Sequence, residues 1–278
     1  MIKKTLRNKD SFGKTMKISA SNIGWKKEYD EEMYIWMRDN DISGLEIAPT
    51  RIFEVNPYDH CKEAKAWANR LKSEYGLNIS SMQSIWYGKS ENIFASRKER
   101  ESLIEYTKKA IDFANAIDCH NLVFGCPRNR NVPEGADVSI AEEFFSILGE
   151  YAYDADTVIA MEANPPIYNT NFCNTTLQAV ELVKRVNSPG FRLNLDFGTM
   201  IANNESVDVL EETVDLINHV HISEPGLAMI EKRIIHNEFK TIIEKSDYLG
   251  YVSLEMRTQE DIRSIKAPLM YIKEVFCS

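Results

Sequence analysis

Short apolar, strand-like runs recur along the chain, separated by longer stretches whose apolar positions fall three and four residues apart. The short runs cover residues 17–25, 44–52, 78–87, 121–126, 157–164, 191–199, 219–223 and 251–257. Their length and content of β-branched residues suit buried strands. The clearest helical pattern covers 97–118, where Leu103, Ala110, Ile111, Ala114 and Ile117 share one face. Others cover 30–40, 59–75, 139–155, 175–186, 207–217, 238–246 and 267–276.

Strand and helix thus alternate eight times, at roughly the 30-odd residues that a strand–helix unit needs. Regular alternation predicts a parallel sheet covered by helices. Eight units close most simply into an α/β barrel, the (β/α)8 TIM barrel. A doubly wound open sheet is the rival, but its glycine-rich phosphate turn is absent, because Asn22-Ile23-Gly24-Trp25 follows the first run. No linker or low-complexity tract divides the chain, so residues 16–278 read as one barrel domain. Residues 1–15 carry Lys3, Lys4, Arg7, Lys9 and Lys14 against Asp10 and no apolar segment, and read as a disordered N-terminal extension.

In a barrel strand alternate residues face the axis, and chemistry gathers at the carboxyl ends. In Val158-Ile159-Ala160-Met161-Glu162, bulky Ile159 and Met161 face the helices, leaving Glu162 and then Asn164 inside. The same phasing turns Asn194 and Asp196 inward, then His219, His221 and Ser223, then Ser253 and Glu255. Four successive strands therefore deliver Glu162, Asp196, His221 and Glu255 to one rim. Three carboxylates gathered without a cation repel one another. One divalent metal ion relieves that, and an oxygen-rich set with one imidazole suits Mn, Mg, Fe, Co or Zn.

At these residues the chain resembles the sugar phosphate isomerase/epimerase group of xylose isomerase-like barrels. The matching segments are Gly44-Leu45-Glu46-Ile47, Met161-Glu162-Ala163-Asn164-Pro165, Leu195-Asp196-Phe197-Gly198, His219-Val220-His221-Ile222-Ser223-Glu224-Pro225 and Tyr251-Val252-Ser253-Leu254-Glu255-Met256. The resemblance implies that Glu162, Asp196, His221 and Glu255 bind the metal. It also implies that Glu162 and Glu255 exchange a proton on opposite faces of a small sugar-like substrate. The expected activity is an isomerase or epimerase. A dehydratase of the inosose or dehydroshikimate type is the nearest alternative, and a non-catalytic sugar-binding barrel stands further off. Many ketose epimerases place a His three residues after the Asp, where this chain has Thr199. The DNA-repair branch needs that His and others on early strands, which carry none here.

Weaker candidates share the expected mouth. Arg128 and Arg130 follow the fourth strand and are candidate clamps for an anionic group. His236 is a candidate substrate contact. Asn164 can exchange hydrogen bonds with a hydroxyl. Glu46 faces inward on the second strand, where an unpaired carboxylate is costly; a substrate hydroxyl or Arg257 would answer it. Trp25, Gln83 and Trp86 lie near early strand ends. His219 is expected one layer below His221, while His60 and His120 belong to no constellation.

Composition narrows the partners. The net charge is −9, so the basic footprint of a nucleic-acid binder is missing. No run is long enough for a membrane helix. Five scattered cysteines lack metal-binding or disulfide spacing, which makes a cytoplasmic setting the default expectation. A homo-oligomer stays open.

Overall fold

A computed structural model describes residues 16–278; the expectation of a disordered extension at 1–15 lies outside them. Eight parallel strands close into a barrel in the order β1 to β8. They are β1 Lys17–Ser21, β2 Gly44–Ile47, β3 Asn78–Met82, β4 Leu122–Phe124, β5 Ile159–Glu162, β6 Phe191–Asp196, β7 Ile217–Ile222 and β8 Tyr251–Leu254. The helices, in chain order, are α1 Asp30–Asp39, α2 Pro49–Ile52, α3 Cys61–Arg70, α4 Arg97–Ala116, α5 Ile140–Asp154, α6 Thr176–Val186, α7 Phe197–Asn203, α8 Ile234–Ile243 and α9 Arg263–Cys277. This is the expected TIM barrel.

The apolar core lies between sheet and helices, not along the barrel axis. Outward residues such as Ile159, Met161, Leu193, Leu195, Val220, Val252 and Leu254 are buried there. Rings of Trp86, Phe124, Phe144, Phe145 and Phe191 meet at centroid separations of 4.7–5.9 Å. Four of these contacts are edge-to-face and the Phe145–Phe191 pair is stacked, arrangements that add to the area they bury. The lumen is polar by contrast. Asn121 Nδ2 donates to Ser81 Oγ at 2.9 Å, and Asn218 Nδ2 donates to Asn121 Oδ1 at 2.8 Å. The register shifts between Leu45 and Glu46 and between Leu193 and Asn194. These irregularities fall on the strands that carry Glu46 and Asp196.

Local signals set the helix starts. Ser96 accepts from the Glu99 N–H ahead of α4, and Thr175 with Gln178 forms a capping box ahead of α6, each worth about 1 kcal/mol. Two expectations need correction. The sixth run ends as a strand at Asp196, and Phe197–Asn203 is helical because the Asp196 carboxylate caps it. The expected helix over 207–217 is instead two tight turns, Val207–Leu210 and Val214–Leu216. Val207, Val209, Thr213 and Val214 are β-branched and favour helix weakly. No helix of the described residues is long and apolar enough to cross a membrane.

Candidate metal centre and mouth of the barrel

The strand ends bring Glu162, Asp196, His221 and Glu255 together: one donor atom from each lies within 4.8 Å of the others. The geometry turns on His221, which is fully buried. Its Nδ1 lies 3.0 Å from Glu162 Oε1 and 3.2 Å from Glu255 Oε2, while its Nε2 lies 2.8 Å from Glu46 Oε2. The two nitrogens of the ring have different neighbours. One looks up into the carboxylate cluster, the other down onto a single buried acid.

Asp196 is anchored at both oxygens. Thr199 donates to Oδ2 from its N–H at 2.7 Å and its hydroxyl at 2.8 Å, and the Ser223 hydroxyl donates to Oδ1. Thr199, standing where many ketose epimerases place a His, therefore orients an acid of the cluster. Glu162 accepts from Asn194 Nδ2 at 2.8 Å and from Asn164 Nδ2 at 3.1 Å. Gly125, just past the end of the neighbouring strand β4, lies against it. A Cβ there would stand 2.8 Å from Glu162 Oε2, so a side chain at this position would push the carboxylate aside.

Electrostatics match this crowding. Burial, with the neighbouring Glu162 charge, pushes Asp196 up to about 6. Burial also pushes Glu255 up to about 7, against the opposing pull of His221. Burial disfavours the His221 imidazolium, but Glu46, Glu255 and the hydrogen bond to Glu162 outweigh it and raise the pKa well above the usual histidine range. Burial would likewise raise Glu46, yet His221 and His219 hold its carboxyl far below the usual range.

The donor set fits a divalent cation. It offers three carboxylates and one imidazole, and burial, with the Glu162 charge, holds the carboxyls of Asp196 and Glu255 above their ordinary range. Glu46 bears on the fit as well. An acceptor at Nε2 favours the tautomer that leaves the Nδ1 lone pair free for a metal, the usual way a carboxylate orients a ligating histidine.

The remaining expected site residues fall in different places. Asn164 lines the mouth beside Glu162. Arg128 is exposed on the loop after β4 and lines an adjoining cleft. Glu46 needs correction as a substrate contact: it has no solvent exposure, and His221, His219 and Gln83 surround its carboxylate. Arg257 is not its partner. It is exposed, and its N–H donates to Leu227 O. His236 is corrected too. It is buried among the helices, its Nδ1 shares a hydrogen bond with the Tyr271 hydroxyl at 2.9 Å, and its ring meets Phe197 edge-on. Burial pushes it down to about 4.

Arg130 is no free clamp. Fully buried, it donates to Glu162 O and to Asn164 Oδ1, each at 2.8 Å, and so ties the β4 loop to the end of β5. Gln83 does line the mouth, whereas Trp25 and Trp86 are buried, each with its indole N–H bonded to Asp30 or Thr107. His219 lies below His221, with Nε2 3.1 Å from Glu46 Oε2.

A cavity of about 170 Å³ opens over Glu162, Asp196 and Glu255. Tyr168 and Leu227 complete its wall from the loops after β5 and β7. Sequence reasoning missed these two, since loop residues carry no strand period. It also gave Asn194 and Ser223 no role, although their inward phase was the available signal.

Comparison with known proteins bears on the same elements. A sequence search of curated proteins finds no match. Among solved structures, D-psicose 3-epimerase in the presence of D-fructose superposes with a TM-score of 0.77 at 15% identity, over 95% of this chain and 100% of that one. The apo 3-keto-D-glucoside 4-epimerase of E. coli gives 0.72 at 18% identity, over 93% and 99%. An AP endonuclease of family 2 from Brucella melitensis gives 0.69 at 21% identity, over 91% and 99%. At such identities the likeness speaks for the fold. The family model for xylose isomerase-like TIM barrels matches residues 36–275, which is nearly the whole of the described barrel. The chain belongs to the xylose isomerase-like TIM barrel family.

Proposed function

We propose that this chain is a divalent-metal-dependent isomerase or epimerase of a small hydroxy-carbonyl sugar, acting by proton transfer next to the carbonyl. The observation that carries the proposal is the convergence of Glu162, Asp196, His221 and Glu255 beneath an open cavity at the strand ends. The sugar epimerases among its structural neighbours support the same class. The acidic charge of −9 speaks against the nucleic-acid chemistry named for the endonuclease neighbour.

In this reading Glu162, Asp196, Glu255 and His221 would hold the metal, which would supply Lewis-acid stabilisation of negative charge on a substrate carbonyl. The protein's own groups do the rest. Glu162 and Glu255 come from β5 and β8, on either side of Asp196 and His221. One takes the proton and the other returns it. Glu255, buried at the end of β8 with Oε2 3.2 Å from His221 Nδ1, lies at the cavity where the proton would move. Asn194 and Asn164 fix the Glu162 carboxylate, and Thr199 and Ser223 fix Asp196, so neither acid must reorient during turnover. Tyr168 and Leu227 form part of the cavity wall.

The test is a screen of ketoses with the Mn-loaded protein in deuterated water. Isomerase or epimerase activity places deuterium on the carbon next to the carbonyl. A dehydratase instead yields an enone that absorbs in the ultraviolet. Glu162→Gln and Glu255→Gln should each lower turnover by at least about 100-fold, with metal retained better than in Asp196→Ala or His221→Ala. Near-normal turnover in both Gln variants would defeat the two-carboxylate mechanism.

A further inference from the structure

The cavity over the metal cluster is small, and it is not closed. A second cleft of about 610 Å³ adjoins it and shares Ser84, Cys126 and Pro127 as common wall. Small-molecule pockets commonly run about 300–1,000 Å³. The chamber at the cluster, at about 170 Å³, falls below that range, and the adjoining cleft falls within it. A substrate confined to the first chamber would leave most of the continuous space to water.

The second cleft is held rigidly. The loop after β3 turns back through Tyr87 N–H to Ser84 O and Lys89 N–H to Trp86 O, both 2.9 Å. The loop after β4 is bound to it, because Asn129 Nδ2 donates to Lys89 O at 3.1 Å and Glu91 O at 2.7 Å. Trp86 anchors the floor through its indole N–H on Thr107 at 2.8 Å. On this frame Tyr87 stands 72% exposed, its ring open to whatever enters the cleft.

The lining chooses among occupants. Tyr87 and Pro127 offer apolar faces, while Ser84 and Ser90 offer hydrogen-bonding hydroxyls. That mixture suits a pyranose ring, apolar on its C–H face and polar at its rim. A phosphate would need convergent cations. Lys89 is already committed, 3.9 Å from Glu91 and 4.0 Å above the Tyr106 ring, and Arg128 alone remains.

We propose that this cleft is a second subsite, for a glycosyl ring attached to the reacting sugar, so that the substrate is a keto-disaccharide or related glycoside and not a free ketose. The proposal rests on the proton-transfer reading of the metal cluster. Calorimetry on the Mn-loaded protein tests it with D-fructose, maltulose, isomaltulose and D-fructose 6-phosphate. At least one ketodisaccharide should bind about tenfold or more tighter than D-fructose, equivalent to about 1.4 kcal/mol. Tyr87→Ala should erase that difference, and Tyr87→Phe should keep it. The subsite is overturned if neither disaccharide gains over D-fructose or if the gain survives Tyr87→Ala. It is also overturned if D-fructose 6-phosphate binds tightest and Arg128→Ala cancels its advantage. Saturation-transfer NMR with methyl α-D-glucopyranoside on the metal-free protein separates the two readings. Tyr87-dependent transfer without binding of any ketose would keep the subsite and remove the isomerase reading. Absence of that transfer would remove the subsite whatever the ketoses do.

Discussion

Removing the Glu46 carboxylate should damage the candidate metal centre without touching any of the three carboxylates or the imidazole at its rim. In Glu46→Ala, the Nε2 of His221 loses a partner at 2.8 Å, Gln83 Nε2 loses one at 3.1 Å, and His219 Nε2 loses a neighbour at 3.1 Å. His221 and His219 lie in the closed interior, and Gln83 is buried at the edge of the cavity. Breaking a buried, hydrogen-bonded charge pair from one side costs about 3–5 kcal/mol. In a domain of this size each kcal/mol lowers Tm by about 2–4 °C, so Glu46→Ala should melt about 10 °C lower. The metal effect is separate. His221 loses the acceptor that fixes its tautomer, and orienting carboxylates of this kind are worth about 10–100-fold in metal affinity. Glu46→Gln retains an oxygen for Nε2–H but no charge, and should fall between wild type and Glu46→Ala on both measures. Calorimetric Mn titration and thermal melts of the chelated proteins give the two numbers. If Glu46→Ala bound Mn within about twofold of wild type, the orienting role would be refuted even with a lowered Tm.

Two further outcomes follow from the same electrostatics and packing. Asp196, Glu255 and His221 all have folded pKa values above their ordinary ones. The folded state thus binds more protons than the unfolded one, and their stabilisation is full at low pH and lost as pH rises through the folded values. The metal-free protein should therefore melt progressively lower between about pH 5 and 8; Glu46, depressed, acts in the opposite sense only below about pH 4.5. A Tm of chelated protein that climbs across that window would contradict the assignment. Arg130→Lys should destabilise the protein by about 2–4 kcal/mol in urea unfolding, because a point charge cannot serve both Glu162 O and Asn164 Oδ1 as the guanidinium fork does; an unchanged midpoint would refute that.

The period-two pattern of the last four strands was enough to place the cluster, since alternation fixes which side chains meet the axis. The eight-fold alternation likewise carried the barrel. What stayed illegible depended on contacts across the chain. Glu46 and His221 lie 175 residues apart and meet only because closure of the barrel sets β2 across the lumen from β7. Arg130 looked like a surface cation because nothing local reveals that Glu162 O and Cys173 O wait for it. His236 shared a loop-like neighbourhood with Lys232 and Arg233, but α8 begins at Ile234 and rotates the ring inward onto Tyr271. The helix over 207–217 failed because apolar spacing alone ignored the β-branched content of the segment.

Asp196 has two employments that evolution and engineering can separate. Its carboxylate is both a member of the cluster and the cap of α7, where it accepts the Thr199 N–H. Asparagine also caps helices well. A descendant that abandoned chemistry would thus remain under pressure to keep Asp or Asn at this position for folding alone. An acid here is consequently weaker testimony to activity than an acid at 162 or 255, and a survey of related barrels for lost function should weigh the positions unequally. The same duality supplies a laboratory tool: Asp196→Asn is the substitution to choose when an intact barrel with a weakened centre is wanted as a control.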